Sequence, residues 1–349
     1  MAENHVALVV GSSGIIGNAL VEELSERPDW EVHALRRTTV PNVTVIDADL
    51  HDATATKKTL KAVKDTTHVF YAALAPRADL YEEEQVNAMM LQNLLEGLTA
   101  HKTPLQRVIL YQGAKVYGVH LGAAHAPFYE DAPRHLGPNF YYAQEDLLQK
   151  HAQRHGYDWS ILRPDVVVGS IAGNPMNIAV IIGVFAALSK AAGIPLRFPG
   201  ALDTYREFFA QTTDARWLAR ASLWAAHSLS AKNEAFNIVG DPFHWEHMWN
   251  HIADVLGMEV AEPQPLSLAR HMPSHASAWE KLTKKPQLEH IPFEQIVHWG
   301  FGDFVFHAAF DVISDMNKIR RAGFLEPADT KASFTRALTE LKEKKILPS

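Results

Sequence analysis

One short run of residues constrains the fold of this chain more than any other feature. Positions 11–17 read Gly-Ser-Ser-Gly-Ile-Ile-Gly, directly after the apolar stretch 6–10 and directly before an apolar stripe with helical spacing. A glycine-rich turn between a strand and a helix is typical of dinucleotide-binding sites, because the backbone approaches the pyrophosphate and the helix N-terminus favours its charge. We therefore predict that this chain begins with a dinucleotide-binding unit.

Each of the three glycines has its own expected part in that turn. Gly11 permits the tight turn, Gly14 lets the backbone approach the phosphates, and Gly17 lets the helix pack closely on the strand. Their GxxGxxG spacing indicates the short-chain dehydrogenase/reductase type of Rossmann fold. The alternative, a plain strand–helix turn, is disfavoured because motif, position and flanking pattern agree.

The first half of the chain alternates short apolar runs with amphipathic stretches, which predicts a parallel sheet covered on both faces. The predicted strands are 6–10, 31–35, 43–46, 68–72, 107–111 and 159–162. After Pro164 the pattern becomes mostly helical. We predict an α/β fold with a doubly wound parallel Rossmann sheet over residues 1–165 and a smaller, mostly helical substrate lobe over 166–349, with some segments returning to the core.

Composition excludes several classes of function. There is no cysteine among the 349 residues, which excludes a cysteine nucleophile, a disulfide and a cysteine-held cluster. The net charge of −7 argues against nucleic-acid binding. The longest apolar stretch, 178–188, is too short to span a bilayer, and no secretory signal precedes the first strand. We expect a cytoplasmic protein that binds no membrane.

The end of the second predicted strand indicates which nicotinamide cofactor is bound. An NAD site places an acidic residue there for the ribose hydroxyls, whereas this chain has Arg36 and Arg37. Two guanidinium groups suit a 2′-phosphate, so NADPH is predicted. Asp49 and Leu50, after the third strand, are predicted to lie near the adenine.

The usual catalytic pair of short-chain reductases, Tyr-x-x-x-Lys, is missing from the expected region. Tyr141 and Tyr142 are followed four residues later by Glu145 and Asp146, which cannot supply positive charge. Lys115 follows the fifth predicted strand, so it should lie at the carboxyl edge of the sheet, where a nicotinamide would be bound. It is the candidate cation of the site.

Four motifs together resemble the progesterone 5β-reductase/iridoid synthase-like (PRISE) family of enone reductases, an atypical branch of the short-chain dehydrogenases. The motifs are the glycine run 11–17, the Arg36-Arg37 pair, the Gly-Ala-Lys-Val-Tyr segment 113–117 and the Asn-Phe-Tyr-Tyr-Ala-Gln-Glu-Asp segment 139–146. The resemblance extends over nearly the whole chain, and the 139–146 segment is its most specific part.

The resemblance implies an enzyme that reduces a C=C bond conjugated to a carbonyl group. Hydride from NADPH would add to the β-carbon of an enone or enal. By position, Tyr141 is the catalytic tyrosine, hydrogen-bonded to the carbonyl oxygen, with Lys115 supplying positive potential. Tyr142 is the competing assignment. The segment between Lys115 and Asn139 is shorter than in plant members, so the natural substrate is left open.

These inferences define the predicted site. The predicted cofactor contacts are Gly11, Ser13, Gly14, Ile15, Ile16, Gly17, Arg36, Arg37, Asp49, Leu50, Ala73, Tyr141 and Pro164. Two alternative functions stay open: a carbonyl reductase or sugar-nucleotide epimerase of the extended short-chain type, and a non-catalytic NADPH-sensing regulator. A homodimer is expected from the fold class alone.

Histidine is frequent, with 19 residues, but a metal site is not predicted. His247 and His251 have the spacing of two ligands on one helix face, yet neither an HExxH motif nor a third ligand accompanies them. His120, His125 and His135 precede the two tyrosines, so one of them could face the substrate.

Overall fold

The structure is a computed structural model that describes residues 5–36, 40, 43–172, 174, 176–284, 288–289 and 291–348. The strands are β1 His5–Val10, β2 Trp30–Leu35, β3 Thr44–Ile46, β4 His68–Tyr71, β5 Arg107–Tyr111, β6 Asp158–Arg163, β7 Val167–Val168, β8 Leu196–Arg197, β9 Phe209–Ala210, β10 Thr213–Asp214, β11 Glu234–Asn237, β12 Phe243–His244 and β13 Val260–Ala261.

The helices are α1 Ile15–Ser25, α2 Ala53–Leu60, α3 Leu80–Ala100, α4 Phe140–His155, α5 Ile178–Ala191, α6 Leu202–Arg206, α7 Ala215–His227, α8 Trp245–Leu256, α9 Leu268–His271, α10 Ala276–Thr283, α11 Phe293–Ile296, α12 Trp299–Phe306, α13 Asn317–Arg321 and α14 Thr330–Glu343. Short 3₁₀ turns lie at Lys61–Val63, Ala114–Tyr117, Leu229–Ala231 and Met272–His275.

Seven strands form one parallel sheet in the order β3-β2-β1-β4-β5-β6-β11. The predicted fold class is confirmed, and the six predicted strands agree with β1 to β6 within one residue at each end. The seventh strand, β11, was not predicted. It comes from the second half of the chain and pairs with β6 at the edge of the sheet.

The sheet is buried on both faces because alternate residues of each strand point into different cores. In β1, Ala7 and Val9 pack with helices α1 and α7 on one face. Leu8 and Val10 pack with α2, α3 and α4 on the other face. This explains why the strands read as continuous apolar runs in the sequence.

The lobe consists of α5, α6, α8 to α12 and α14 with the short strands between them, and it has a core of its own. Helix α5 lies at the centre of that core, with Trp245, Trp249 and Phe334 among the side chains packed in it. Its apolar sequence is therefore explained by burial inside the lobe. No helix in the described part of the chain is both long and apolar enough to cross a bilayer.

Candidate active site

The glycine turn between β1 and α1 has the tight geometry that a phosphate-binding loop needs. Gly11 has a φ of +86°, and a Cβ there would lie 2.8 Å from the carbonyl of Ala72. A Cβ at Gly17 would lie 2.2 Å from the Gly11 oxygen, so only glycine lets the helix approach the turn. Gly14 is the N-cap of α1, and no side chain of the described residues caps this helix end.

The other predicted cofactor contacts around the turn differ in their exposure to solvent. Ser13 is exposed, Ile15 is buried and Ile16 is half-buried. With the turn's backbone N–H groups at a helix N-terminus and no competing side-chain cap, this end of the sheet fits the pyrophosphate of a dinucleotide. Ala73, just past β4, lies beside Gly11, since the nitrogen of Ala73 would be 2.9 Å from a Cβ there.

The predicted cofactor-selecting residues lie beyond β2 and β3. Arg36 is held at a φ of 73° by its N–H donating to the Ile46 oxygen at 2.7 Å. Its guanidinium is exposed and lies 3.9 Å from the Asp49 carboxylate. His51 hydrogen-bonds Asp49, and together with the Arg36 charge it lowers the pKa of that carboxyl. Leu50 is buried, and Arg37 lies outside the described residues.

Tyr141 is positioned by the start of helix α4. Asn139 is the N-cap, and its side-chain oxygen accepts the Tyr141 N–H at 3.0 Å. The Asn139 amide also donates to the carbonyl oxygen of Lys115 at 3.0 Å. One side chain therefore joins the helix carrying the tyrosine to the segment carrying the lysine.

The Tyr141 hydroxyl is available for a ligand. Among the described residues it has no hydrogen-bond partner, and a Cβ at Gly113 would lie 3.2 Å from its oxygen and 3.4 Å from the Pro164 oxygen. Gly113 thus leaves space beside this hydroxyl at the carboxyl edge of the sheet. Burial, with the charges of Asp165 and Glu83, raises the pKa of Tyr141, so the hydroxyl keeps its proton.

Tyr142 is the neighbouring side chain, and its hydroxyl is already in use. It donates to the Val116 oxygen at 2.6 Å and accepts the His135 N–H at 3.2 Å. Arg134 also lies over its ring, 4.8 Å from the centroid. Its contacts fix the loop before α4 to the segment after β5.

Lys115 lies in the 3₁₀ turn after β5 and its side chain is exposed. No carboxylate among the described residues forms an ion pair with it, so its charge is available at this edge. That charge contributes, after burial, to a lowered pKa of about 4 at His120. His120 is therefore neutral at pH 7.

A buried polar network holds the ends of β5, β6 and α4 together. Arg163 Nε donates to the Gln112 oxygen at 2.8 Å, and its guanidinium lies 3.4 Å from Glu145. The Gln112 amide in turn donates to Glu145 at 2.9 Å and to the Tyr141 carbonyl at 3.1 Å. Glu145, four residues after Tyr141 on α4, thus joins this helix to the ends of β5 and β6.

Asp165 is a site residue that the sequence reasoning missed. It follows Pro164 at the carboxyl end of β6, and burial raises the pKa of its carboxyl to about 7. Oδ1 accepts the Val166 N–H at 3.0 Å, whereas Oδ2 has no partner among the described residues. A charged residue directly after a buried parallel strand was the signal that could have found it.

An apolar cleft separates the carboxyl edge of the sheet from the lobe. The space between its lining atoms, including the part open to solvent, is about 530 Å³. Among the described residues Asp165 is its only acidic lining residue, and the lining includes Val119, Phe208, Phe304, Phe310 and Val312. An apolar cleft with few polar groups suits a small organic ligand.

Histidines do not form a metal centre in the described part of the chain, where no cluster of three or more histidine and acidic side chains is arranged to hold an ion. His251 instead lies 2.8 Å from the Thr335 hydroxyl, joining α8 to α14. His135 lies 3.2 Å from the Lys115 oxygen, on the outside of the site.

Comparison with known proteins decides the family. Residues 7–348 match the model described as a PRISE-like Rossmann-fold domain. The chain belongs to this family.

Characterised relatives cover nearly the full chain. An (S)-8-oxocitronellyl enol synthase from Camptotheca acuminata is 34% identical, over 98% of this chain and 93% of the relative. A 3-oxo-Delta(4,5)-steroid 5-beta-reductase from Arabidopsis thaliana is also 34% identical, with the same coverage. The resemblance stated from the sequence is confirmed, as is the prediction that the chain is an enzyme.

Solved structures agree on the fold. RMD from Pseudomonas aeruginosa, solved with NADPH, has a TM-score of 0.68 at 16% identity, covering 99% of this chain and 100% of that one. Thermus thermophilus UDP-glucose 4-epimerase, solved with NAD, has a TM-score of 0.66 at 18% identity, covering 97% and 99%. At this identity the likeness extends to the Rossmann fold and no further.

Proposed function

We propose that this enzyme uses NADPH to reduce the C=C bond of α,β-unsaturated carbonyl compounds. The observation that carries the proposal is the Tyr141 hydroxyl, which belongs to a half-buried side chain, keeps its proton because its pKa is raised, and has no hydrogen-bond partner among the described residues at the carboxyl edge of the sheet. The two relatives named as an enol synthase and a steroid 5-beta-reductase support the same chemistry.

The proposed cofactor site combines the glycine turn with the positive charge of Arg36. NADPH, when bound there, would supply hydride for the β-carbon of the substrate. The backbone of Gly11, Ser13 and Gly14 and the start of α1 would bind the pyrophosphate, while Arg36, with Arg37 next in the chain, would bind the 2′-phosphate. Asp49, Leu50, Ala73 and Pro164 complete the proposed contacts.

Tyr141 and Lys115 would carry the polar part of the reaction. The Tyr141 hydroxyl would donate a hydrogen bond to the substrate carbonyl oxygen, where negative charge develops as the β-carbon gains hydride. The exposed Lys115 ammonium would add positive potential at that oxygen, and the α-carbon would then take up a proton. Because the raised pKa keeps Tyr141 protonated, it acts as a donor across the physiological pH range.

Product identification tests the reaction class. The protein is incubated with NADPH and with cyclohex-2-enone, an enal and a saturated ketone. A saturated carbonyl product from the enone supports the proposal. An allylic alcohol would instead indicate a carbonyl reductase, and tight NADPH binding without any oxidation would indicate a sensor.

Cofactor selection is tested separately at Arg36. Arg36→Ala should weaken NADPH binding about tenfold relative to NADH, since one charge-assisted contact to the phosphate is lost. Arg27→Ala is the matched control, because Arg27 is an exposed arginine paired with Glu23 on α1. Equal loss of both cofactors in the Arg36 variant would contradict the assignment.

A further inference from the structure

The apolar cleft contains polar groups whose hydrogen-bonding capacity is unused. Thr212 lines it, and its hydroxyl is fully buried with no partner among the described residues. Asp165 lines the same cleft, and its Oδ2 is also without a partner there. A buried donor without a partner is unfavourable, so a ligand that pairs it is favoured.

Thr212 and Asp165 belong to facing segments. The Asp165 N–H donates to the hydroxyl of Thr213, next to Thr212, at 3.1 Å. The Thr213 N–H returns a bond to the Val166 oxygen at 3.3 Å. Thr212 and Asp165 therefore lie on neighbouring, hydrogen-bonded loops at the wall of the same cleft.

The backbone of this loop is fixed in an unusual conformation. Val166 has a φ of 36°, which is costly for a β-branched residue. The Asp165 carboxylate stabilises that conformation by accepting the Val166 N–H. The strained residue therefore presents Asp165 at the wall of the cleft, directly after Pro164, whose carbonyl oxygen, like the Tyr141 hydroxyl, would lie within 3.4 Å of a Cβ at Gly113.

Two other polar side chains of the cleft wall, Thr204 and Gln211, are already satisfied. The Thr204 hydroxyl donates to the Ala308 oxygen at 3.1 Å. The Gln211 amide donates to the Gly240 oxygen at 2.9 Å, and its own oxygen accepts the Ser314 N–H at 2.7 Å. Unused capacity on the cleft wall thus lies at Thr212, at Asp165 and at the buried indole N–H of Trp245, and only Thr212 and Asp165 belong to the neighbouring loops described above.

We propose that Thr212 and Asp165 form a polar subsite that binds a hydroxyl group of the substrate at a distance from the reacting carbonyl. A hydroxyl group donates one hydrogen bond and accepts others, so it can donate to Asp165 Oδ2 and accept from Thr212. The surrounding phenylalanines and valines would contact the hydrocarbon between the two polar ends. The preferred substrates are therefore hydroxylated enones or enals, and this inference rests on the proposed function.

The ionisation of Asp165 supports this subsite. Burial raises the pKa of its carboxyl to about 7, because the apolar cleft offers the charge no partner. A hydroxyl group donating to the carboxylate would relieve part of that cost.

Matched substrates test the subsite. With NADPH, kcat/KM is measured for (E)-oct-2-enal and (E)-8-hydroxyoct-2-enal, and for the corresponding six- and ten-carbon pairs. The length series locates the hydroxyl group relative to the carbonyl. We expect a preference of about tenfold to hundredfold for the hydroxylated member of at least one pair.

Variants show which side chains produce that preference. Thr212→Val should remove it, because the methyl group replaces the donor at nearly constant volume. Thr212→Ser should keep it, and Thr204→Val, on the same wall but with a hydroxyl already bonded to Ala308, should keep it as well. If Thr212→Val does not fold, comparison of Thr212→Ala with Thr212→Ser gives the same contrast.

Two results would overturn the inference in different ways. Equal reduction of both members of every pair, or a preference unchanged in Thr212→Val, removes the subsite and leaves the proposed function intact. No reduction of any enal with NADPH removes the proposed function and the subsite together.

Discussion

The seven-stranded sheet has titratable side chains both where its strands end, at the carboxyl edge, and where they begin, at the amino edge. The hydrogen bonding of these side chains differs between the two. At the carboxyl edge, the hydroxyl of Tyr141 and one oxygen of Asp165 have no partner among the described residues. At the amino edge, the ring of His68 lies 5.3 Å from that of His5 and 5.9 Å from that of His227. The His68 Nδ1 is 2.9 Å from the Thr67 hydroxyl.

The polar groups next to His68 at the amino edge make structural contacts. Arg107 donates to the Ser228 oxygen at 2.8 Å and lies 3.7 Å from Asp158. Burial, His5 and His227, with Arg107, lower the pKa of His68 to about 3. Shifted pKa values therefore occur at both edges, so a shifted pKa alone does not mark the site of chemistry; at the carboxyl edge it coincides with a hydroxyl and a carboxylate oxygen that line open space.

The largest expected effect concerns the two adjacent tyrosines at the carboxyl edge. Tyr141→Phe should lower kcat/KM for an enone about 10²-fold, or by about 2.7 kcal/mol, because the donor to the carbonyl oxygen is lost. Tyr142→Phe should mainly lower the free energy of unfolding by about 1 kcal/mol, since its hydrogen bond to Val116 is lost. An inactive Tyr142 variant beside an active Tyr141 variant would reverse the assignment.

The next largest effect is a loss of folding stability at low pH, caused by protonation of His68 at the amino edge. His68 prefers to be neutral in the folded state, so stability is retained above its unfolded pKa of 6.5 and is lost as pH falls toward about 3. Between pH 7 and pH 5 this one group should cost about 2 kcal/mol, measured by urea unfolding. In His68→Gln the decrease in the free energy of unfolding between pH 7 and pH 5 should be smaller by that amount. The same loss in both proteins would show that other groups cause it.

The smallest effect is a loss of folding stability as the pH rises, caused by ionisation of Asp165 at the carboxyl edge. The pKa of Asp165 is raised, so its contribution to stability is complete below the unfolded pKa of 3.8 and is lost as pH rises through about 7. Asp165→Asn keeps an oxygen for the Val166 N–H and cannot ionise. Relative to wild type, it should be about 1 kcal/mol more stable at pH 6 than at pH 5. A pH-independent difference would show that Asp165 is ionised throughout.

The parts of the fold that could be predicted are those determined by local sequence. Strands β1 to β6 are short apolar runs with turn or helix signals around them, so their pattern is enough. Strand β11 has only four residues and lies among helices, and Glu234 and Ala235 at its start are half-buried. Its place beside β6 depends on tertiary packing, which the local pattern does not contain.

The same division applies to the site. The glycine turn was predictable because strand, motif and helix are contiguous. Tyr141 and Tyr142 are adjacent on a helix and point in directions about 100° apart, so their roles depend on what packs against each one. The hydrogen bond from Tyr142 to Val116 joins segments that are far apart in sequence. The free hydroxyl of Thr212 is likewise a property of the folded cleft.

The path of the chain between sheet and lobe limits how the cleft can open. After β6 the chain enters the lobe, returns to the sheet with α7 and β11, leaves again with α8 and comes back with α13, which contacts β11. Helix α14 then packs on α5 and α8. Several crossings, rather than one linker, connect the two layers, so one proteolytic cut at a crossing leaves them covalently joined. Any movement of the lobe relative to the sheet must therefore involve several chain segments at once.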